Sequence, residues 1–261
     1  MNFSFSNLYL DASTLVKQLP IIKSFGFDAV ELAPYHQFGG YVVNSKVLDF
    51  KSALVENEIK VSGFQGFTFT EEDLKFDFLN FTNSWVQHLI HCLRLADIFD
   101  SRIFVFGAPG FRTLKEDEMA FVSSFLKTKD FLKLHDVEIL LEAVPHVYGT
   151  AFLNSFSEVL KFSLDHNCLI HFDTGCYLNE NISGLVDKSK LNVEIHHYHC
   201  TASDLGLLSR DAYLERWLEL NCISRRPTDG YIVLESTVKS NDVGVLQNDL
   251  SFIRKFIKLN T

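Results

Sequence analysis

The sequence has no excess of basic residues, because Asp and Glu number 33 against 24 Lys and Arg, a formal net charge of −9. Binding to a nucleic-acid backbone or to an anionic membrane surface depends on Lys and Arg near phosphates, so this charge argues against both partners. The N-terminus lacks a basic leader, and no run approaches the roughly eighteen apolar residues that a membrane span needs. We therefore expect a soluble, cytoplasmic protein.

Four further features are scarce or missing. The five cysteines are odd in number and show no disulfide-like spacing, which predicts reduced thiols. No Gly-rich loop of the P-loop or dinucleotide type is present, so we expect no nucleotide cofactor. No Gly/Ser linker or shift in composition divides the chain, which predicts one domain over residues 1–261. With 2 Met against 25 Phe, the core should be strongly aromatic.

What the sequence does contain is an alternation of short apolar strands and amphipathic helices along its whole length. This order predicts a parallel sheet with helical crossovers, and eight such units in a chain of this size predict a (β/α)8 TIM barrel of the α/β class. A short helix is expected over 182–189, and a long loop over 66–80. The predicted strands are 3–8, 27–32, 59–65, 103–107, 137–144, 168–173, 193–199 and 231–235.

The last four predicted strands each end in a side chain that can bind a metal ion. A bare carboxylate such as Glu142 costs several kcal/mol or more to bury unless a proton, a partner or a metal compensates it. Asp173, His199 and Glu235 follow at intervals of roughly thirty residues, the repeat of a barrel whose chemistry lies at the C-terminal strand ends. One such residue alone is more often an ion-pair partner or a helix cap. Four at matched positions predict a site for one divalent ion.

Two other residues near these strands have two readings each. His197 lies on the same strand face as His199, two residues deeper, and either orients a ligand or is a satisfied core histidine. Cys176 either acts as a thiolate beside the site or is a small buried hydrophobe. Glu31 ends the second strand and is interpreted as a structural ion-pair member inside the barrel.

Seven stretches in the predicted order resemble the xylose isomerase-like TIM-barrel superfamily, and more closely its sugar phosphate isomerase/epimerase branch. Each stretch alone is weak, but together they cover almost the whole chain and are specific for the superfamily rather than for one reaction. The stretches are GFDAVELAP at 26–34, VSGFQG at 61–66, VFGAP at 105–109, LEAVP at 141–145, FDTG at 172–175, HYH at 197–199 and LE at 234–235.

The resemblance implies an activity and a role for each of the four strand-end residues. In the ketose 3-epimerases the matching positions bind one divalent metal, here Glu142, Asp173, His199 and Glu235. We expect Mn²⁺ or Co²⁺, with Mg²⁺ or Zn²⁺ as alternatives. The implied reaction on a sugar or sugar phosphate passes through an enediolate, with Glu142 and Glu235 as general base and acid. The chain departs from the epimerases at Cys176, where they carry a histidine that contacts substrate.

Position suggests further substrate contacts around the predicted site. Gln65 ends the third strand and could bind a sugar hydroxyl, and Arg112 could hold a phosphate or carboxylate in a fork. Both have bland alternatives, a satisfied loop amide and a solvated loop arginine. The other candidates near the mouth of the barrel are His146, Tyr148, Cys176 and His197.

Two other functions compete with the isomerase or epimerase. The same metal and carboxylates would serve a lyase or dehydratase of a polyol or keto-sugar. Alternatively, the barrel binds a carbohydrate without turnover, with Cys176 as the first sign of lost activity. The endonuclease branch is disfavoured, since it needs histidines for three zinc ions where this chain has Gln65 and Gly107. A homo-oligomer is left open, because exposed helices on the barrel rim could pair in several ways.

Overall fold

The computed structural model describes residues 2–69, 74–180, 197–221, 230–238 and 242–256. Its eight strands are parallel and close into a barrel in chain order, which confirms the predicted (β/α)8 architecture. The strands are β1 (Asn2–Ser6), β2 (Ala29–Leu32), β3 (Lys60–Phe64), β4 (Ile103–Phe106), β5 (Glu138–Glu142), β6 (Leu169–Asp173), β7 (His197–Thr201) and β8 (Tyr231–Glu235).

The observed strands differ from the predicted ones mainly at their ends. β1 stops at Ser6, whose side chain accepts a hydrogen bond from the Leu8 amide and starts a short 3-10 turn. β7 continues to Thr201, so His199 lies two residues inside the strand rather than at its end. The predicted beginning of this strand, 193–196, lies outside the described residues.

Helices occupy most of the connections between strands. Side-chain caps start several of them: Asp11 accepts from the Ser13 amide, and Ser155 accepts from the Glu158 amide. The helices are α1 (Ala12–Phe25), α2 (Pro34–Phe38), α3 (Ser45–Glu56), α4 (Leu74–Leu79), α5 (Asn83–Phe99), α6 (Glu118–Lys133), α7 (Phe156–His166), α8 (Thr174–Glu180), α9 (Ala212–Asn221) and α10 (Gly244–Arg254).

Three of these helices are absent from the sequence prediction. α2, α4 and α8 span one or two turns, too short for a helical apolar repeat to appear in the sequence. α4 lies inside the connection expected to be a loop, and α8 starts directly after β6. The predicted helix over 182–189 lies outside the described residues. None of the helices in the described ranges has the length and apolar character that crossing a membrane requires.

By its internal contacts the chain divides into two compact units. The first comprises Met1–Glu31, Ala53–Lys60 and His171–Thr261, and the second comprises Leu32–Ser52 and Val61–Ile170. The expectation of a single domain stays a prediction.

Strand register in the first unit aligns the residues that matter for the site. Ser6 on β1 pairs with Glu31 on β2. Asp173 on β6 pairs with His199 on β7, and Thr201 on β7 pairs with Glu235 on β8. Because paired residues on parallel strands lie side by side, their inward side chains are brought to the same level.

The second unit contains the aromatic core that the Phe-rich composition predicts. Phe78 is fully buried, and its ring centroid lies 5.1 Å from that of Trp85 and 5.1 Å from that of Phe111. Phe106 on β4 lies 5.4 Å from Phe67 and 5.8 Å from Phe121. Such offset and edge-to-face pairs add to the free energy gained from burial alone.

Candidate metal centre

Three of the four predicted metal ligands converge inside the first unit. His199 Nδ1 lies 2.8 Å from Glu235 Oε2 and 3.8 Å from Asp173 Oδ2. The parallel register of β6, β7 and β8 produces this arrangement, since each residue projects inward at or near the C-terminal end of its strand. The structure therefore places two carboxylates against one imidazole nitrogen.

Glu31 completes the arrangement from the opposite side of the same imidazole ring. His199 Nε2 donates a hydrogen bond to Glu31 Oε2, and His197 Nε2 donates to Glu31 Oε1 at 2.6 Å. The Glu31 side chain is fully buried. The interpretation of Glu31 as an ion-pair member inside the barrel is confirmed, and its partners are the two histidines of β7.

Side-chain exposure rises from the interior toward the C-terminal strand ends. The exposed fraction is 0% for Glu31, 2% for His199, 3% for Asp173 and 12% for Glu235. The group that reaches solvent most easily is thus Glu235, a predicted acid/base residue. Glu31 is the group that is farthest from water.

The electrostatics of the cluster depend on His199. Burial alone would lower the pKa of His199, but the carboxylates of Glu31 and Glu235 raise this pKa well above the ordinary histidine value. Burial alone would raise the pKa of Glu31, but the adjacent His199 and His197 hold it far below the usual range. Glu31 is therefore ionised at neutral pH, and the surrounding field favours positive charge on the His199 side of the cluster.

Asp173 is oriented by two donors at the start of α8 and the end of β7. Its Oδ1 accepts from the Cys176 amide at 2.6 Å, and its Oδ2 accepts from the Thr201 hydroxyl at 2.6 Å. Burial raises the pKa of Asp173, and the negative Glu235 nearby acts in the same direction. A compensating cation close to Asp173 and Glu235 would remove this penalty.

The donor set of the cluster fits a divalent cation. Asp173 and Glu235 offer carboxylate oxygens and His199 offers a nitrogen, which is the mixed oxygen and nitrogen set that Mn²⁺ and Co²⁺ accept, and Zn²⁺ as well. Three acidic groups surround His199, so a single proton on Nδ1 leaves the cluster with excess negative charge. A divalent ion in place of that proton would reduce this excess.

The fourth predicted ligand, Glu142, lies in the second unit at the end of β5, as expected. Its side chain is half-buried, and its backbone carbonyl accepts from Arg112 at 2.9 Å. A Cβ added at Gly107 would lie 2.5 Å from Glu142 Oε2, so only glycine at that position leaves room for the carboxylate in its present place. Membership of Glu142 in the metal site stays a prediction.

The structure gives two predicted substrate-binding residues other partners. Arg112 is fully buried, and its guanidinium donates to the carbonyls of Leu153, Phe106 and Gly107 as well as to that of Glu142. The His197 side chain is fully buried and bonded to Glu31. Contacts of these side chains with substrate stay predictions.

The remaining predicted substrate residues lie near strand ends. Gln65 is buried directly after β3, and its backbone N–H donates a hydrogen bond to the Leu32 carbonyl at 2.8 Å. His146 and Tyr148 are exposed in a 3-10 turn that follows β5, and Cys176 is half-buried in α8. Contacts of these four residues with substrate stay predictions.

Two residues of the site were not singled out from the sequence. Thr201 donates a hydrogen bond to Asp173, but the predicted strand ended at His199 and did not include it. His171 lies on β6, two residues before Asp173, with its ring centroid 4.1 Å from that of His199. Alternation along β6 places His171 and Asp173 on one face, which is the signal that could have identified it.

Comparisons with known proteins agree with this architecture. Residues 19–255 match the family model described as xylose isomerase-like TIM barrel. Among solved structures, 3-keto-D-glucoside 4-epimerase from E. coli aligns with a TM-score of 0.71 at 16% identity, covering 98% of this chain and 99% of that one. D-psicose 3-epimerase from Clostridium cellulolyticum H10 aligns with a TM-score of 0.68 at 16% identity, covering 99% and 100%.

A third solved structure carries a different name. The probable 3-DHS dehydratase AsbF from Bacillus anthracis aligns with a TM-score of 0.63 at 13% identity, covering 97% of this chain and 99% of that one. No curated protein sequence matches the chain. At these identities the structural likenesses establish the fold.

Proposed function

Because the chain belongs to the xylose isomerase-like TIM-barrel family, we propose that it is a divalent-metal-dependent isomerase or epimerase of a sugar or sugar phosphate. The observation that carries this proposal is the convergence of Asp173, Glu235 and His199 Nδ1 near the C-terminal ends of adjacent strands. Two of the solved structures that share the fold are named as sugar epimerases.

The proposed metal ligands are Asp173, His199, Glu235 and Glu142. The first three already face one another in the first unit. Glu142 ends β5, and we include it as the fourth ligand because the sequence pattern and the family resemblance both assign it that role. Mn²⁺ or Co²⁺ is the favoured ion, since carboxylates outnumber imidazoles and no thiolate takes part.

When bound, the metal ion would supply Lewis-acid stabilisation of negative charge on the sugar carbonyl oxygen and its adjacent hydroxyl. The protein side chains then have to move one proton. In the proposed reaction Glu142 removes a proton from the carbon beside the carbonyl, the substrate passes through an enediolate, and Glu235 returns a proton. Glu235 is the most exposed member of the described cluster, which suits exchange of that proton with substrate.

The neighbouring polar residues would hold the sugar. Gln65, His146, Tyr148 and Cys176 lie close in sequence to the ends of β3, β5 and β6, and we propose them as hydroxyl contacts. Arg112 and His197 also stay candidates for contact with the sugar, although Arg112 already donates to backbone carbonyls and His197 is bonded to Glu31. A cytoplasmic location and a homo-oligomeric state stay predictions.

A dehydratase is the second candidate function. Its support is the likeness of almost the whole chain to the probable 3-DHS dehydratase, with a coverage within a few per cent of that of the epimerases. Removal of a proton beside a carbonyl also begins such an elimination, so the same carboxylates and the same ion would serve. The two reactions diverge only in whether a hydroxyl group leaves.

The deciding experiment incubates the Mn²⁺-loaded or Co²⁺-loaded protein with a panel of ketoses in D₂O and follows the products by NMR and mass spectrometry. Deuterium in a product supports proton transfer, loss of water indicates a dehydratase, and neither change indicates a binding protein. Glu142→Gln should abolish the exchange. The matched control is Glu138→Gln on the same strand, an exposed residue whose loss should leave the exchange intact. A fully active Glu142→Gln would refute the mechanism.

A further inference from the structure

The buried carboxylate of Glu31 has no role in the proposed reaction, yet it contacts a proposed metal ligand directly. Its Oε2 accepts from His199 Nε2, while the other ring nitrogen, Nδ1, faces Glu235 at 2.8 Å. The two nitrogens of this imidazole therefore point to two different carboxylates. The Nδ1 side also faces Asp173, at 3.8 Å from Oδ2.

Glu31 is held in place by a second histidine. Its Oε1 accepts from His197 Nε2 at 2.6 Å, so both carboxylate oxygens are engaged. An ionised carboxylate can only accept hydrogen bonds, so each contacting nitrogen must carry a hydrogen. The bond to Glu31 thus keeps His199 Nε2 protonated and limits rotation of the ring.

From this geometry we infer that Glu31 is a positioning residue that reserves His199 Nδ1 for the metal ion. A ligating histidine commonly donates its other ring N–H to a carboxylate, which sets the tautomer and the ring orientation. The inference rests on the proposed metal site and deepens it. Glu31 would act through His199 and touch neither metal nor substrate.

One competing arrangement also uses His199. The rings of His171, His197 and His199 offer nitrogens within 4.8 Å of one another, which is close enough for a three-histidine metal site. All three side chains are buried, and the bonds to Glu31 already engage one ring nitrogen each of His197 and His199. These bonds favour the Nδ1 site, and the two arrangements predict different coordinating histidines.

The test is long-range ¹H–¹⁵N NMR of the full chain labelled at histidine, before and after addition of Zn²⁺ as a diamagnetic probe. His199→Gln identifies the His199 signals. We expect Zn²⁺ to shift Nδ1 of His199 while Nε2 stays protonated. Coordination through Nε2, together with signals of His171 and His197, would overturn the inference and leave a metal-binding barrel. No His199 shift with Zn²⁺ or Cd²⁺ would overturn both the inference and the proposed metal site.

A variant measurement separates positioning from a purely structural role. Glu31→Gln keeps the shape but offers one acceptor and one donor, so it cannot accept from both histidines. We expect Mn²⁺ affinity by calorimetry to fall about 10-fold to 100-fold, the usual effect of losing such a partner. Glu138→Gln is the matched control. A folded Glu31→Gln protein with unchanged Mn²⁺ affinity would refute the positioning role, and if the variant does not fold, the wild-type spectra decide.

Discussion

Thr201 offers a sharp test of how the site is built, because its hydroxyl serves two groups at once. It donates to Asp173 Oδ2 at 2.6 Å and accepts from the Gly175 amide at 2.9 Å. Thr201→Val keeps the shape of the side chain and removes both bonds. Thr201→Ser keeps the hydroxyl and removes only a methyl group, so the two variants separate hydrogen bonding from packing.

The magnitude follows from the burial of these groups, since Thr201 is fully buried. A hydrogen bond to a charged group is worth roughly 1.5–3 kcal/mol, and an amide left without a partner costs a further 1–3 kcal/mol. Allowing for relaxation, Thr201→Val should lower the free energy of unfolding by about 3 kcal/mol, or roughly 6–12 °C in Tm for a chain of this size. Thr201→Ser should cost about 1 kcal/mol.

The assay is urea unfolding of both variants, followed by Mn²⁺ titration of the folded proteins. Because Thr201 orients a proposed ligand, Thr201→Val should also weaken Mn²⁺ binding by about 10-fold, whereas Thr201→Ser should bind like the wild type. Equal stability of the two variants would show that the hydroxyl does not hold Asp173. Equal Mn²⁺ affinity would show that its orientation does not matter for the metal.

Three further predictions concern the second unit. Gly107→Ala should displace the Glu142 carboxylate, because the new Cβ would lie 2.5 Å from it. Deuterium exchange into ketoses should then fall at least 10-fold while Tm changes little, and unchanged exchange would contradict the role of Glu142. Arg112→Leu should lower the free energy of unfolding, measured in urea, by about 3–5 kcal/mol, because buried carbonyls lose a charged donor. Arg112→Lys should not restore the stability, and an Arg112→Leu protein as stable as the wild type would contradict the role of the guanidinium. Burial lowers the pKa of His88 in the folded protein to about 4. In the unfolded chain this histidine has a pKa of about 6.5 and is protonated first, so the free energy of unfolding decreases as pH falls below about 6.5. Between pH 7 and pH 5 this should cost about 2 kcal/mol in urea unfolding, a loss that should be absent in His88→Gln.

The sequence was sufficient for the barrel because each strand is a short apolar run bounded by turn residues. Strand ends are harder to predict, and this is why Thr201 was missed: β7 continues through Cys200, an apolar residue that the predicted strand excluded. The short helix α8 was also missed, since seven residues are too few for a periodic pattern. Its first turn supplies the Cys176 amide that binds Asp173.

The partner of His199 could not be derived from the sequence beyond a general expectation. Glu31 lies on β2 and His199 on β7, and no local pattern links two residues that are 168 positions apart. The two residues are brought together by the parallel pairing of β2 with β1, of β1 with β8 and of β8 with β7. Likewise, Arg112 resembles a loop arginine in sequence, but the turn after β4 folds its guanidinium onto buried carbonyls.

The central claim is a single divalent-metal site formed by residues at the ends of the last four strands. Its most direct test is elemental mass spectrometry of untagged protein, with Asp173→Ala as the control variant. We expect about one divalent ion per chain in the wild type and none in Asp173→Ala. A wild-type protein that carries no ion after incubation with Mn²⁺ and Co²⁺ would contradict it, and the carboxylates would then be structural.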